Sequence, residues 1–325
     1  MLGRKSSKQF RFSLAMPRDG QRYVLNAALR SQACAGSDRT DIAGRGARAS
    51  AHSSYDSPQA VVVPGAVTQV ALGDQHSCVL TEAQQVYCFG NHADLALGNS
   101  AAAAPSAAPL IVETSLGVPL GGATHLASGD RFSCAATASA GVYCWGTLPG
   151  NTTLNATVVP GTSGFNDVQE LVAGLGFACV RRAAFGGSIH CWGDNGVGQI
   201  AAPAGGIRST AALVGGVSAP AQLYAGRELL CARTGTGVRC RGNNNAGRLG
   251  TLDTAPTVDR FSPVASPVAL TWLADGGGGA AGICAFDANA HLYCWGDNAS
   301  GWAGLALPDP AGTPTRVENL TRFKP

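Results

Sequence analysis

Hydrophobic positions along this chain recur in short stretches with the period of an extended strand. In "HSCVLTEAQQVYCFG" (His76–Gly90), Val86 and Cys88 fall on one face while Tyr87 and Phe89 fall on the other. Nearly the same phrase returns four times, as "FSCAATASAGVYCWG", "FACVRRAAFGGSIHCWG", "LLCARTGTGVRCRG" and "GICAFDANAHLYCWG". The leading cysteines Cys78, Cys134, Cys179, Cys231 and Cys284 are 56, 45, 52 and 53 residues apart. Each lies five residues after a glycine: Gly73, Gly129, Gly174, Gly226 and Gly279. After the second cysteine come an aromatic residue and a glycine, with Arg241 replacing the aromatic in the fourth copy. A polar turn rich in Gly and Asn follows, and the units close on proline and β-branched residues, as in "PLIVE" and "FSPVASPV".

This spacing predicts hairpins. Pairing Cys231 with Cys240 sets Arg233 opposite Val238 and Thr234 opposite Gly237. Gly235-Thr236 is then a two-residue loop, with glycine where a type II′ turn needs it. Pairing Cys78 with Cys88, Cys134 with Cys144 and Cys284 with Cys294 gives three-residue loops in the same register. Pairing Cys179 with Cys191 does so too, with one further residue pair per arm. Each cysteine pair therefore faces across its hairpin, within reach of a disulfide.

A period near 50 residues built from short strands predicts an all-β chain, a β-propeller of four-stranded blades around an axis. Five units are recognisable, so the ring is small, incomplete or completed by degenerate units. The fixed glycine suits close backbone approach near the axis. The ring before the second glycine would fill the space between blades. The succession G-x-x-x-x-C, then "VYCWG" or "LYCWGDN", then "GVGQI" or "AGRLG", resembles the repeat of the regulator of chromosome condensation family, and most of all its cysteine-paired bacterial branch. The resemblance covers residues 57–325 and implies a propeller, typically seven-bladed, that serves as a binding platform. The chain departs from that pattern in its five visible units and in an insertion at Gly276–Gly279 within "LADGGGGAAGIC". The family's histidine ahead of the first cysteine survives only as His76.

Ten of the eleven cysteines fall into five pairs: Cys78 with Cys88, Cys134 with Cys144, Cys179 with Cys191, Cys231 with Cys240, and Cys284 with Cys294. Cys34 is left alone. One disulfide per blade is the leading reading. Zinc would want a clustered C-x-x-C, which is not present, and buried reduced thiols are the other alternative. Disulfides would place the protein outside the cell, in a periplasm or on the cell surface. No signal peptide is legible, since the first apolar run is broken by Arg11, Ser13, Pro17 and Arg18.

Composition adds less. Apolar residues make up 45% and charged residues 13%, with 44 Gly and 17 Pro, as in a turn-rich globular chain. The net charge of +3 combines +7 over residues 1–50 with −4 over the rest, so residues 1–56 read as a basic, disordered leader before a propeller at 57–325. Arg outnumbers Lys 20 to 3 beside abundant Ala and Gly, a pattern of GC-rich bacterial coding. No window of 18 apolar residues occurs, which argues against a membrane-spanning helix. So small a net charge gives no support to nucleic-acid binding.

The sequence carries no catalytic signature: no G-x-S-x-G, H-E-x-x-H or phosphate-binding loop, and no cofactor is expected. Asp194 in "GDNGVG" and Asp297 in "WGDNASG" read as Asx turns, since a calcium loop needs more alternating oxygens. The units differ most just after the fixed glycine, in "DQHS", "DRFS", "LGFA", "RELL" and "AAGI". A propeller would gather Asp74, Gln75, His76, Asp130, Arg131, Phe132, Arg227 and Glu228 near one mouth of its channel. That mix of charge and aromatic groups suits a protein or small ligand, with packing between blades as the plainer alternative. Arg241 and Trp302, each odd for its place in the repeat, are further candidate contacts. The function expected is a non-catalytic, monomeric scaffold that binds a protein partner of unknown identity through loops on one face. A polysaccharide lyase or hydrolase would need paired carboxylates from Asp74, Asp130 and Glu228. Guanine-nucleotide exchange or chromatin binding, as in eukaryotic relatives, conflicts with paired cysteines.

Overall fold

Each copy of the repeated phrase folds as the two middle strands of a four-stranded antiparallel sheet. The computed structural model describes residues 61–274, 282–298 and 311–317. Blade 1 comprises β1 (Val67–Leu72), β2 (His76–Thr81), β3 (Val86–Gly90) and β4 (Ser106–Ile111), and a small hairpin of β5 (Glu113–Ser115) and β6 (Val118–Pro119) follows it. Blade 2 comprises β7 (Ala123–Ser128), β8 (Phe132–Thr137), β9 (Gly141–Leu148) and β10 (Asn151–Val158). Blade 3 comprises β11 (Val168–Ala173), β12 (Phe177–Arg182), β13 (Ile189–Asp194) and β14 (Ile207–Leu213). Blade 4 comprises β15 (Gln222–Ala225), β16 (Leu229–Thr234), β17 (Gly237–Asn243) and β18 (Thr257–Pro263). Blade 5 comprises β19 (Leu270–Leu273), β20 (Gly282–Asp287), β21 (Leu292–Gly296) and β22 (Ala311–Arg316). Strands pair in chain order within every blade, the pattern of a β-propeller. The leader at 1–56, Cys34, Gly276–Gly279 and Trp302 lie outside the described residues.

The cysteines of each pair are direct cross-strand partners. All five pairs are disulfides with Cα atoms 4.1 Å apart: Cys78 with Cys88, Cys134 with Cys144, Cys179 with Cys191, Cys231 with Cys240, and Cys284 with Cys294. Closing loops this short stabilises by roughly 2–3 kcal/mol each in the chain-entropy account. The expected register Arg233↔Val238 and Thr234↔Gly237 is present.

Two hairpins differ from expectation. In blade 4 the left-handed glycine is Gly237 (φ 119), not Gly235, so the loop is not type II′. The Thr234 hydroxyl accepts the Thr236 N–H at 3.3 Å and donates to the Gly237 carbonyl at 3.1 Å, which closes the loop and moves the positive φ one step past it. In blade 3 the pair Cys179 and Cys191 keeps its register, but strand pairing stops at Arg181↔Ile189. A single helical turn, α1 (Ala184–Gly187), replaces the extra pair expected there. Asp167 draws the chain aside: its carboxylate accepts the Ala184 N–H at 2.7 Å and Arg182 Nε at 2.6 Å.

The core is divided among the spaces between blades. One apolar cluster joins blades 1 and 2, and others join 2 and 3, 3 and 4, and 4 and 5. Trp145, Trp192 and Trp295 are fully buried in three of these clusters, each against the preceding blade. The glycine after the equivalent position in all five blades (Gly90, Gly146, Gly193, Gly242, Gly296) has φ between +93 and +117, which side chains avoid. That conformation explains why every copy keeps the final glycine of "CFG", "CWG" and "CRG".

Toward the axis the inner strands pack in series, β1 on β7, β7 on β11, β11 on β15 and β15 on β19. The fixed glycines set this spacing. A Cβ on Gly73 would lie 2.9 Å from the Gly129 carbonyl oxygen, one on Gly129 2.6 Å from that of Gly174, and one on Gly174 2.4 Å from that of Gly226.

Candidate binding site

In every blade the start of the second strand pairs with the end of the third, as His76 pairs with Gly90. The segment after the fixed glycine and the polar turn after the second cysteine therefore emerge at the same end of the sheet. In blade 1 the first supplies Asp74, Gln75 and His76, and the second supplies Asn91, Asp94 and Ala96. Asp130 and Arg131 of blade 2 complete a cleft of about 70 Å³.

Backbone and side-chain bonds fix its walls. The Asp74 N–H donates to the Asp130 carbonyl at 3.0 Å, and the Asn91 N–H donates to the Gln75 carbonyl at 2.8 Å. The side-chain amides of Asn91 and Gln75 also bond, with Asn91 donating. The Asp130 carboxylate accepts the Gly176 N–H of blade 3 and Nε of Arg131, each at 3.2 Å. Arg131, whose side chain is 52% exposed, also lies 3.8 Å from the Asp94 carboxylate. Two carboxylates thus flank one exposed guanidinium, and with Asp74 also in the lining the cleft carries excess negative charge. Among the described residues no three His, Cys, Asp or Glu side chains converge to hold a metal ion.

Of the other residues expected at the mouth, two lie in another blade and two fold over their own glycines. Arg227 is exposed and Glu228 half-buried at the matching loop of blade 4, where Glu228 accepts a hydrogen bond from Asn243 Nδ2 at 2.6 Å. Neither lines the cleft of blades 1 and 2. Phe132 is fully buried and folds over Gly129, as Phe177 folds over Gly174. His76 occupies the same place over Gly73, so it packs the rim from within. Its Nε2 lies 2.8 Å from Ser133 Oγ, and burial lowers its pKa to about 4 against a small opposing effect of the Phe132 backbone. Arg241 is buried between blades 3 and 4, bonded to the Gly198 carbonyl of the polar turn, because its position is that of the interblade tryptophans.

Sequence reasoning does not single out Asn91 and Asp94. Their signal is the polar turn, which it assigns only to turn formation. That assignment also holds: Asn91, Asp194 and Asn243 each accept the N–H two residues on, at 2.8, 3.2 and 2.8 Å.

Comparison with known proteins bears on this rim. The model of the regulator of chromosome condensation (RCC1) repeat matches residues 67–94, the stretch that supplies one wall of the cleft. The chain carries this repeat. Among solved structures, yeast RCC1 (Prp20) bound to Kap60 superposes with a TM-score of 0.66 at 19% identity, over 80% of this chain and 65% of that one. Human WBSCR16 superposes with a TM-score of 0.64 at 20% identity, over 77% of this chain and 67% of that one. At such identities the likeness establishes the repeat's propeller fold. This chain spans 65% of the length of the yeast protein. No curated protein matches the sequence at a significant level.

Proposed function

We propose that the chain is a non-catalytic scaffold, exported or displayed at the cell surface, that holds a protein partner on the rim built by Asp74, Gln75, Asn91, Asp94, Asp130 and Arg131. The observation that carries this reading is the cleft itself, where two variable segments of blade 1 meet one of blade 2. Disulfides and interblade hydrogen bonds hold these segments in place, so binding forfeits little conformational entropy. The excess of carboxylates favours a partner that presents a Lys or Arg side chain. Yeast RCC1, of similar fold, is solved in complex with a protein, Kap60. Five disulfides support an oxidising compartment and weigh against nucleotide exchange or chromatin binding inside a cell. A hydrolytic role finds no support in the carboxylates, since Asp130 and Glu228 already accept structural hydrogen bonds.

The test is photo-crosslinking in the native host, with the reactive residue at Asp74 or at Ser139. Ser139 is exposed in the β8–β9 loop at the opposite end of blade 2. A discrete protein adduct is expected from position 74 and not from 139. Equal labelling from both positions, or no adduct from position 74, would remove the rim as the binding face.

A further inference from the structure

The repeats act as internal controls for one interblade position. The indoles of Trp145 and Trp295 lie against glycines of the preceding blade: a Cβ on Gly98 would come within 2.7 Å of Trp145, and one on Gly250 within 2.6 Å of Trp295. Between blades 3 and 4 both partners change. Arg241 stands in place of the tryptophan, and Ala201 follows Ile200 as Gly98 follows Leu97 and Gly250 follows Leu249. An indole has no room over a methyl group at that distance, so the two changes belong together.

The exchange leaves a polar group in an apolar seam. Arg241 is 3% exposed. Its Nε donates to the Gly198 carbonyl at 2.9 Å and its Nη2 to the Asp259 carbonyl. Its guanidinium carbon lies 5.4 Å from the centre of the Phe261 ring. Among the described residues no carboxylate reaches ion-pair distance of Arg241. Two of the five guanidinium N–H groups are thereby used, and the outer edge of the fork, formed by Nη1 and the second Nη2 hydrogen, keeps its donors. Arg241 lines a cavity of about 360 Å³ whose apolar walls include Ile200, Val214 and Phe261. Asp259 also lines the cavity, its carboxylate acting on Arg241 from beyond ion-pair distance, and Arg260 there is paired with Asp253 at 2.9 Å.

We propose that this cavity is a binding site for a small organic carboxylate with an apolar body, its acid group on Arg241 and its hydrocarbon against Ile200, Val214 and Phe261. A planar guanidinium matches a carboxylate edge to edge, and a desolvated setting strengthens the pair. The charged groups of the lining are Arg241 and Arg260 against Asp259, a net charge of +1 that favours a monoanion over phosphate. The site shares no lining residue with the rim of blades 1 and 2 and stands whether or not that rim binds a protein.

The experiment titrates the full chain with 4-methylpentanoate and, separately, with its neutral amide, followed by calorimetry. Saturable binding of the acid is expected, at least about 10-fold tighter than the amide, as a charge-assisted pair implies. Arg241→Gln should abolish that preference. The double variant A201G with R241W rebuilds the packing of Gly250 and Trp295, so it should lose binding while keeping the wild-type melting temperature. The proposal is overturned if acid and amide bind equally, if Arg241→Gln retains the preference, or if the acid shows no saturation at millimolar concentration. Should both variants fail to fold, the comparison of acid with amide on the wild type decides.

Discussion

Gln222 grips Leu273 at both main-chain groups: its Nε2 donates to the Leu273 carbonyl at 2.8 Å, and its Oε1 accepts the Leu273 N–H at 2.9 Å. The two residues lie on β15 and β19, inner strands of different blades, so the side-chain amide adds a rung where no ladder exists. The device recurs along the axis. Gln69 of β1 accepts the Leu126 N–H of β7 at 2.8 Å and donates to the Thr124 carbonyl at 3.2 Å. Glu170 of β11 accepts the Leu223 N–H of β15 at 2.9 Å.

Replacing Gln222 by Leu should therefore cost about 1–3 kcal/mol, since Leu273 is buried and both its backbone groups lose a partner. Gln222→Glu keeps the acceptor alone, as at Glu170, and should fall between wild type and Gln222→Leu. Urea denaturation measures both. Equal midpoints for all three proteins would show that the amide contributes nothing across the seam.

The glycines separate by role. A Cβ on Gly129 would lie 2.2 Å from the buried Phe132 ring and 2.6 Å from the Gly174 carbonyl, so Gly129→Ala should reach or exceed the upper end of the ~1–3 kcal/mol typical of overpacking. Gly235 has nothing within 4 Å and no positive φ, so Gly235→Ala should stay within about 0.5 kcal/mol of wild type. Gly237→Ala, forced to φ 119, should cost about 1–3 kcal/mol. Melting temperatures rank the three variants. A destabilised Gly235→Ala beside a tolerated Gly237→Ala would restore the type II′ turn inferred from spacing.

The fold was legible because the repeat sampled the same physics five times. The Cys-to-Cys spacing fixed the hairpin register, and the glycine five residues earlier marked the tight inner rim. What spacing could not supply was which way a side chain turns after that glycine. Phe132 reads as a rim residue in sequence, yet it folds over Gly129 and is lost to solvent, whereas His76 folds over Gly73 and still lines the cleft. Asn91 and Asp94 reach the cleft because β3 ends beside the start of β2, a relation that belongs to pairing rather than to motif. In blade 3 the carboxylate of Asp167, distant in sequence from the loop it holds, overrode the strand pairing that loop length suggested.

Removing one staple should be measurable without unfolding its blade. Cys134 and Cys144 are paired in a ladder that continues on both sides, so the double variant C134A with C144A should fold and lose roughly 2–3 kcal/mol. Peptide mapping of the native protein without reductant should recover Cys134 joined to Cys144. Free thiols at both positions would end the inference of an oxidising compartment.

His76 gives the chain an acid sensitivity of known sign. Its pKa in the folded protein is about 4, below the ordinary 6.5, because burial disfavours the imidazolium. Well above pH 6.5 neither folded nor unfolded chain protonates this ring, and stability does not depend on it. Between pH 6.5 and 4 the unfolded chain takes up a proton that the folded one refuses, so stability falls as pH falls. The full effect is on the order of 3 kcal/mol, and it levels off below pH 4 once the folded ring also protonates. His92, His125 and His190 are shifted down by burial as well, so the contribution of His76 must be read as a difference. His76→Phe installs the residue that blades 2 and 3 carry at this position, and Ser133 keeps its bond to Ser128 Oγ at 2.7 Å. Denaturant midpoints measured from pH 4 to 7 should therefore converge at neutral pH and diverge in acid, with the variant the more stable at pH 4. Parallel curves would mean that the His76 ring takes up its proton as readily folded as unfolded, and would overturn the shift ascribed to burial.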